Sequence, residues 1–244
     1  MTKLPFFMRF FAGMFKLTQK LNVIMSFIMM VIFLGLAWFV WSLLKAPPTI
    51  SKRPYGTELG SSAVKTSSGK SLIGGSFELI DQDGNTRSDT EFRGKYMMVY
   101  FGYSYCPDIC PTGLASMTEA LEKMGKFGRH IQPIFITLDA QRDKVPTLKK
   151  YMKHFHPRFV ALTGSEEALL KAKKAYRVYS KKIGIDGKEF DPKKETAERQ
   201  NSYLVDHSSI VYLMDRNGNH IDQFSHNTPV ERMVEKLQKI AMKG

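Results

Sequence analysis

Residues 96–113 read YMMVYFGYSYCPDICPTG. Tyr96 to Tyr103 is a strongly apolar run of strand length. Such a run suits a strand covered on both faces, as in a parallel sheet. The rest of the stretch holds both cysteines of the 244-residue chain, Cys106 and Cys110, each followed directly by proline. Beyond it, Leu114, Met117, Leu121 and Met124 recur at helical spacing, so a helix with one buried face follows the loop. Two thiols are thereby placed between a buried strand and a helix.

Working outward, the same alternation repeats. Phe77 to Ile80 reads as a short strand stopped by Asp83-Gly84. Ile131 to Leu138 is a further strand, followed by a helix from about Val145, and Phe159 to Leu162 is another strand. A helix over 165–180 would place Leu169, Ala172, Tyr176 and Tyr179 on one face. Strands alternating with helices argue an α/β sheet with covered faces. Residues 181–201 are charged, carry two glycines and lack apolar period, which predicts an inserted loop or hairpin. Ile210 to Met214 is expected to pair with Ile221 to Phe224 across a two-residue Asn217-Gly218 turn. A last helix begins at Thr228-Pro229-Val230-Glu231, which has the pattern of a capping box. A central sheet flanked by helices, with a dithiol loop and a closing hairpin and helix, is the thioredoxin-like plan.

The chain begins differently. Leu21 to Leu44 is a run of 24 residues without a charge, and about 20 apolar residues span a bilayer as a helix. Trp38 and Trp41 lie near one end of it, where indole rings favour the headgroup interface. The run is longer than the apolar part of a cleaved signal peptide and ends in LLKAPP, without a small-residue cleavage site. A retained signal anchor is expected over 21–44, after a short basic tail over 1–20. A flexible Pro/Ser/Gly/Lys-rich tether over 45–75 and the globular domain over 76–244 complete the expected layout. Four basic residues precede the run (Lys3, Arg9, Lys16, Lys20) and four follow within about 20 residues (Lys45, Lys52, Arg53, Lys65), so charge bias leaves the orientation tied. The net charge of +13 comes from basic residues interleaved with acids, and no DNA- or RNA-binding motif accompanies it. A mixed solvated surface is expected, with no nucleic acid as partner.

Two cysteines exclude a disulfide scaffold and a four-thiolate zinc site. Three readings of the pair remain: a redox couple, a clamp for a soft metal, or apolar packing. Residues before proline avoid the helical region, so neither cysteine is expected inside a regular helix. Pro107-Asp108 suits the centre of a β-turn. Pro111 suits the first position of the helix, with Cys110 as its N-cap, where the helix dipole favours thiolate. Three residues between the thiols, rather than the two of the thioredoxin motif, leave room for an ion.

A metal would need a third ligand. Of the histidines, His154 and His156 look like a surface helix end, His130 and His220 precede apolar runs, and His226 lies before the last helix. His207, in YLVDHSS, is the candidate, with Asp206 beside it to orient it. For any one histidine a structural role is the default. Two sulfurs and one imidazole nitrogen suit Cu(I) and accept Cu(II), whereas zinc prefers a fourth ligand. The 14 methionines form no cluster in a loop and read as core filling.

FGYSYCPDICP at 101–111, TLDAQRD at 137–143 and YLVDHSS at 203–209 together resemble the Sco/SenC family over roughly residues 70–244. The family pattern often has threonine where Ser104 stands and proline where Ala140 stands. The resemblance implies a thioredoxin-like domain held outside an energy-transducing membrane, with the anchor's N-terminus in the cytoplasm or matrix. It implies copper bound by Cys106, Cys110 and His207, and a part in assembling the dinuclear copper centre of cytochrome c oxidase. Expected partners are the copper-receiving subunit of that oxidase, other copper chaperones or thiol reductants, and the membrane. Asp139 falls in one of the family blocks and is carried as a supporting residue behind the site. The short N-terminal tail favours a bacterial inner membrane with the domain in the periplasm over a mitochondrial one facing the intermembrane space. The competing functions are a thiol–disulfide oxidoreductase acting on protein cysteines, which would not need His207, and a peroxidase, which would want a distant resolving thiol.

Overall fold

The computed structural model describes residues 25–42, 72–184, 187–191, 194, 196 and 201–242. Met25–Ser42 is a helix, α1, long and apolar enough to cross a membrane by length and composition. The expected basic tail and nearly all of the expected tether lie outside the described residues.

The domain is built on a seven-stranded sheet. Its strands in chain order are β1 (Glu78–Asp81), β2 (Thr86–Ser88), β3 (Tyr96–Gly102), β4 (Ile131–Thr137), β5 (Val160–Thr163), β8 (Ile210–Met214) and β9 (His220–Ser225), and they lie side by side as β2-β1-β5-β4-β3-β8-β9. The central β3, β4 and β5 run parallel, whereas β1, β2, β8 and β9 pair antiparallel. The apolar run from Tyr96 forms the central β3, with every residue but Tyr96 buried. Helices α2 (Ile109–Lys123), α3 (Val145–Met152), α4 (Glu166–Ala175) and α5 (Val230–Ala241) cover the faces. Leu114, Met117, Leu121 and Met124 all point into the core as their spacing predicted. Expected as a thioredoxin-like α/β domain, the chain folds as one.

A second, two-stranded sheet comes from the stretch that broke the rhythm. β6 (Ser180–Gly184) pairs antiparallel with β7 (Tyr203–His207), and Ser180 stands opposite His207. The helix expected over 165–180 therefore stops early. Tyr176 caps α4, Arg177 turns the chain with a left-handed φ of 55°, and Tyr179 is exposed rather than buried. Sequence periodicity continued past Ala175, but the tertiary demand to start β6 overrode it.

Two local expectations are corrected in the same way. The β8–β9 connection is not a two-residue turn but the longer Asp215–Asn219 loop, with a bulge between Leu213 and Met214. There Asp215 Oδ1 accepts the N–H groups of Asn217 and Asn219 at 2.9 and 2.8 Å, an Asx-type turn that outcompetes the tighter one. Asp81 does the same for Asp83 and Asn85, so Asp83-Gly84 does not merely stop the strand but turns it into a β1–β2 hairpin. At α5, Pro229 is the cap residue and no side chain caps the helix. Glu231 instead takes Lys123 of α2 at 2.9 Å, so the predicted capping box does not form.

Candidate metal centre

β3 ends at Gly102, at the C-terminal edge of the parallel strands, where α/β sheets place their ligands. A turn follows in which Tyr103 O accepts the Cys106 N–H at 3.2 Å. This turn lies ahead of the one expected at Pro107-Asp108. α2 starts at Ile109 with Asp108 as its cap residue, so Cys110 sits inside the first helical turn rather than at the N-cap. Pro111 is tolerated there because the first N–H groups of a helix have no carbonyl to meet. The Cys110 N–H points back to Cys106 Sγ at 3.5 Å. Cys110 is fully buried and Cys106 half-buried, so the pair presents one sulfur to solvent and keeps one behind it.

Gly102 makes this packing possible. A Cβ on it would lie 2.8 Å from Cys110 Sγ and 3.0 Å from the Phe135 ring. Both contacts are shorter than non-bonded atoms accept, and only glycine lets the sulfur rest against the strand.

His207 arrives from the end of β7. Its Nε2 lies 3.3 Å from Cys110 Sγ, and its Nδ1 is 3.0 Å from Ser208 O. A carbonyl only accepts, so Nδ1 carries the proton that bonds it, and Nε2 is the ring atom turned to the sulfurs. The Tyr103 ring stands edge-on to the imidazole at 5.9 Å. Asp206, expected to orient the histidine, is exposed on the opposite face of β7 across from Lys181. Side chains alternate along a strand, and the orienting contact comes from the Ser208 carbonyl. His130, His154, His156, His220 and His226 are not brought to the site: His156 Nδ1 accepts the Arg158 N–H, and His220 is buried against Tyr212.

The donor atoms of Cys106, Cys110 and His207 all lie within 4.8 Å of one another. Thiolate–metal bonds of about 2.3 Å allow two sulfurs up to roughly 4.6 Å apart across one ion, so the set fits a single soft cation with little movement. The thiols are electrostatically unequal. A hydrogen bond from Cys110 outweighs burial and, with the backbone N–H groups of Asp108 and Cys110, brings Cys106 down to about 3. That same interaction, reinforced by burial, pushes Cys110 up. The metal-free pair therefore holds one thiolate and one thiol sharing a hydrogen bond.

Behind the loop lies a polar layer that the sequence reading largely missed. Buried Asp143 accepts the Ser104 N–H at 2.9 Å, the Ser104 hydroxyl and the Thr137 hydroxyl at 2.6 Å. Burial pushes its carboxyl up. Asp139, carried as a supporting residue, is buried and holds Tyr203 Oη at 2.6 Å and Arg142 Nε at 2.5 Å. TLDAQRD contained both carboxylates, but nothing local to that block shows that Asp143 props up the cysteine loop.

A mixed sheet with a half-buried dithiol at its parallel edge, closed by an imidazole from a separate hairpin, defines a thioredoxin-like protein equipped to hold a soft metal. The chain belongs to the SCO1/SenC family, which matches residues 65–242. Relatives include the SCO2-like protein of Rickettsia felis, 36% identical over 166 residues that cover 68% of this chain and 76% of that protein. Protein sco1 of Schizosaccharomyces pombe is 38% identical over 170 residues, covering 69% of this chain and 61% of that protein. Among solved structures, Bradyrhizobium japonicum ScoI with copper bound aligns at a TM-score of 0.59 with 35% identity, over 68% of this chain and 98% of that one. Yeast Sco1 with copper bound aligns at 0.61 with 36% identity, over 70% of this chain and 90% of that one.

Proposed function

We propose that this chain is a membrane-anchored copper metallochaperone that helps assemble the dinuclear copper centre of cytochrome c oxidase. The observation that carries the reading is the convergence of two sulfurs and one imidazole nitrogen within 4.8 Å, in a family whose Bradyrhizobium and yeast members have been seen with copper bound. Cys106 and Cys110 clamp the ion as thiolates, and His207 closes the site through Nε2. Thiolates suit Cu(I), and the imidazole extends the site to Cu(II). Half-buried Cys106 is the sulfur a partner's thiolate reaches first, so the ion leaves by ligand exchange without passing free through water. Oxidation of the metal-free pair, one thiolate and one thiol, to a disulfide gives two electrons to an oxidising partner disulfide, releases one proton and removes both sulfur donors, so the redox state of the pair gates loading.

The receiving partner on this reading is the copper subunit of the oxidase, with other copper chaperones or thiol reductants acting upstream. Residues 21–44 anchor the chain, 1–20 precede the anchor, and 45–75 tether the 76–244 domain. The apolar helix α1 supports membrane anchoring, and we place the anchor in a bacterial inner membrane with the domain on its outer side, the alternative being a mitochondrial inner membrane with the domain facing the intermembrane space. A second reading, reduction of protein disulfides, is favoured by one specific observation: a half-exposed thiolate, Cys106, backed by a buried thiol, Cys110, as an attacking and a resolving sulfur would be.

An anaerobic copper titration of the reduced full-length chain in detergent tests the first reading, beside Cys106→Ser/Cys110→Ser and His207→Ala. One tight equivalent is expected, lost without the cysteines and weakened without His207. No tight copper in the wild type, with fast reversible exchange against a protein disulfide, would move the assignment to the reductase.

A further inference from the structure

The two halves of the site are built on separate sheets. The cysteines follow β3 of the main sheet, while His207 ends β7, which among the described residues pairs only with β6, in the two-stranded sheet. Among the described residues, no backbone ladder joins the β6–β7 arm to the cysteine side. The main sheet fixes only the exit of the arm, since β8 begins three residues after His207 and pairs with β3, so the β6–β7 arm itself needs a tie of its own.

We propose that Arg142 is the positioning residue that holds the histidine arm against the cysteine loop. Its side chain is 7% exposed, and one guanidinium meets three parts of the molecule. Toward the main sheet, Nε donates to Asp139, just past the end of β4, at 2.5 Å. Toward the histidine arm, Nη1 donates to Asn201 O at 3.1 Å and Tyr203 O at 2.9 Å, and the guanidinium carbon lies 3.7 Å from the centre of the Tyr203 ring. Toward the cysteine loop, it lies 4.9 Å from the Tyr105 ring centre and 5.7 Å from that of Tyr103. Tyr203 Oη donates to the other carboxylate oxygen of Asp139 at 2.6 Å, closing the triangle. Tyr103, in turn, is the ring standing edge-on to His207.

The chemistry requires arginine. A planar guanidinium reaches a carboxylate and two carbonyls while stacking on an aromatic ring, and a lysine ammonium does not. Arg142 does not touch the donor atoms; it acts through β7. The sulfurs are fixed chiefly by contacts that Arg142 does not make: the α2 N-terminus, Gly102 and the Asp143–Ser104 hydrogen bonds. Loosening the clamp therefore removes the imidazole from the site and leaves the dithiol in place. Cu(I), held by two thiolates, depends little on it, and Cu(II), which wants the nitrogen, depends on it strongly.

This inference rests on the copper reading above, so its test carries a readout free of copper. In the reduced, metal-free full-length chain, Arg142→Lys is expected to speed amide hydrogen exchange of residues 203–207 by about tenfold while residues 131–137 keep their wild-type protection. With copper, Cu(I) affinity is expected to stay within about threefold of wild type and Cu(II) affinity to fall by about tenfold or more. The nitrogen hyperfine structure of the Cu(II) EPR signal is expected to fade as it does in His207→Ala. The Arg142→Lys/His207→Ala double variant is expected to bind Cu(II) no more weakly than His207→Ala alone. Tyr203→Phe, which loses only the tie to Asp139, is expected to show the same pattern at smaller size if the lysine variant does not fold. Wild-type exchange at 203–207, faster exchange at 131–137 as well, equal loss of Cu(I) and Cu(II), or additivity with His207→Ala would each overturn the clamp. If the wild type binds no copper, the copper reading fails and hydrogen exchange alone decides the clamp.

Discussion

Gly102→Ala tests the packing of the cysteine loop most directly. The new methyl would lie 2.8 Å from Cys110 Sγ and 3.0 Å from Phe135 Cε2. Non-bonded heavy atoms settle at about 3.5–4.0 Å, so the sulfur must retreat by roughly 0.7 Å or more. The strand cannot give instead: Gly102 is in register with Thr137, and its carbonyl accepts the Leu138 N–H at 2.7 Å. Nor can the aromatic ring, since Phe135 is fully buried. Overpacking of this kind costs about 1–3 kcal/mol, which lowers the melting temperature by about 2–12 °C for a domain of this size. A displaced ligand is expected to weaken Cu(I) binding by about 10- to 100-fold. Competition with a chromogenic Cu(I) chelator under anaerobic conditions, with circular-dichroism melting of the copper-free chain, measures both effects. In a Cys110→Ala background, where the sulfur is gone, Gly102→Ala is expected to cost less stability by about 1 kcal/mol. Wild-type affinity and melting, or an undiminished melting loss in the Cys110→Ala background, would refute the steric argument.

Two further outcomes are expected. Cys106, held as thiolate down to about 3, is expected to alkylate at nearly the same rate from pH 8 to pH 5, with buried Cys110 spared. An ordinary thiol would slow by about a thousandfold over that range, and peptide mapping that showed such slowing at Cys106 would contradict the shared hydrogen bond. His220 is buried, and that burial outweighs the pull of nearby Asp222 and holds its pKa below the ordinary value. The folded state refuses a proton that the unfolded chain accepts, so stability is expected to fall as pH drops below about 6.5, the unfolded value. His220→Phe is expected to flatten that acid limb in urea unfolding, and an unchanged slope between pH 7 and pH 5 would rule the residue out.

The sequence alone determined the elements whose signal is local. β3 was legible because a run of apolar residues of strand length has few other places to go, and α2 because its buried face repeats at helical spacing. The dithiol loop was legible because two thiols in so few residues, each before proline, form a pattern in themselves. His207 stood out only as a candidate, and it took the family resemblance to lift it above the other histidines. The tertiary structure decided what depends on distant partners. Residues 97 positions apart meet at the Cys110–His207 contact, and no periodicity encodes a meeting across two separate sheets. α4 ends at Ala175 rather than at Ser180 because β6 must begin there to pair with the strand that carries His207. Asp206, adjacent in sequence, faces away by strand alternation, while a backbone carbonyl, Ser208 O, orients the imidazole. Local residue chemistry thus set what the chain can bind with, and long-range packing set where those groups meet, because propensity acts within a few residues and the core acts across the whole domain.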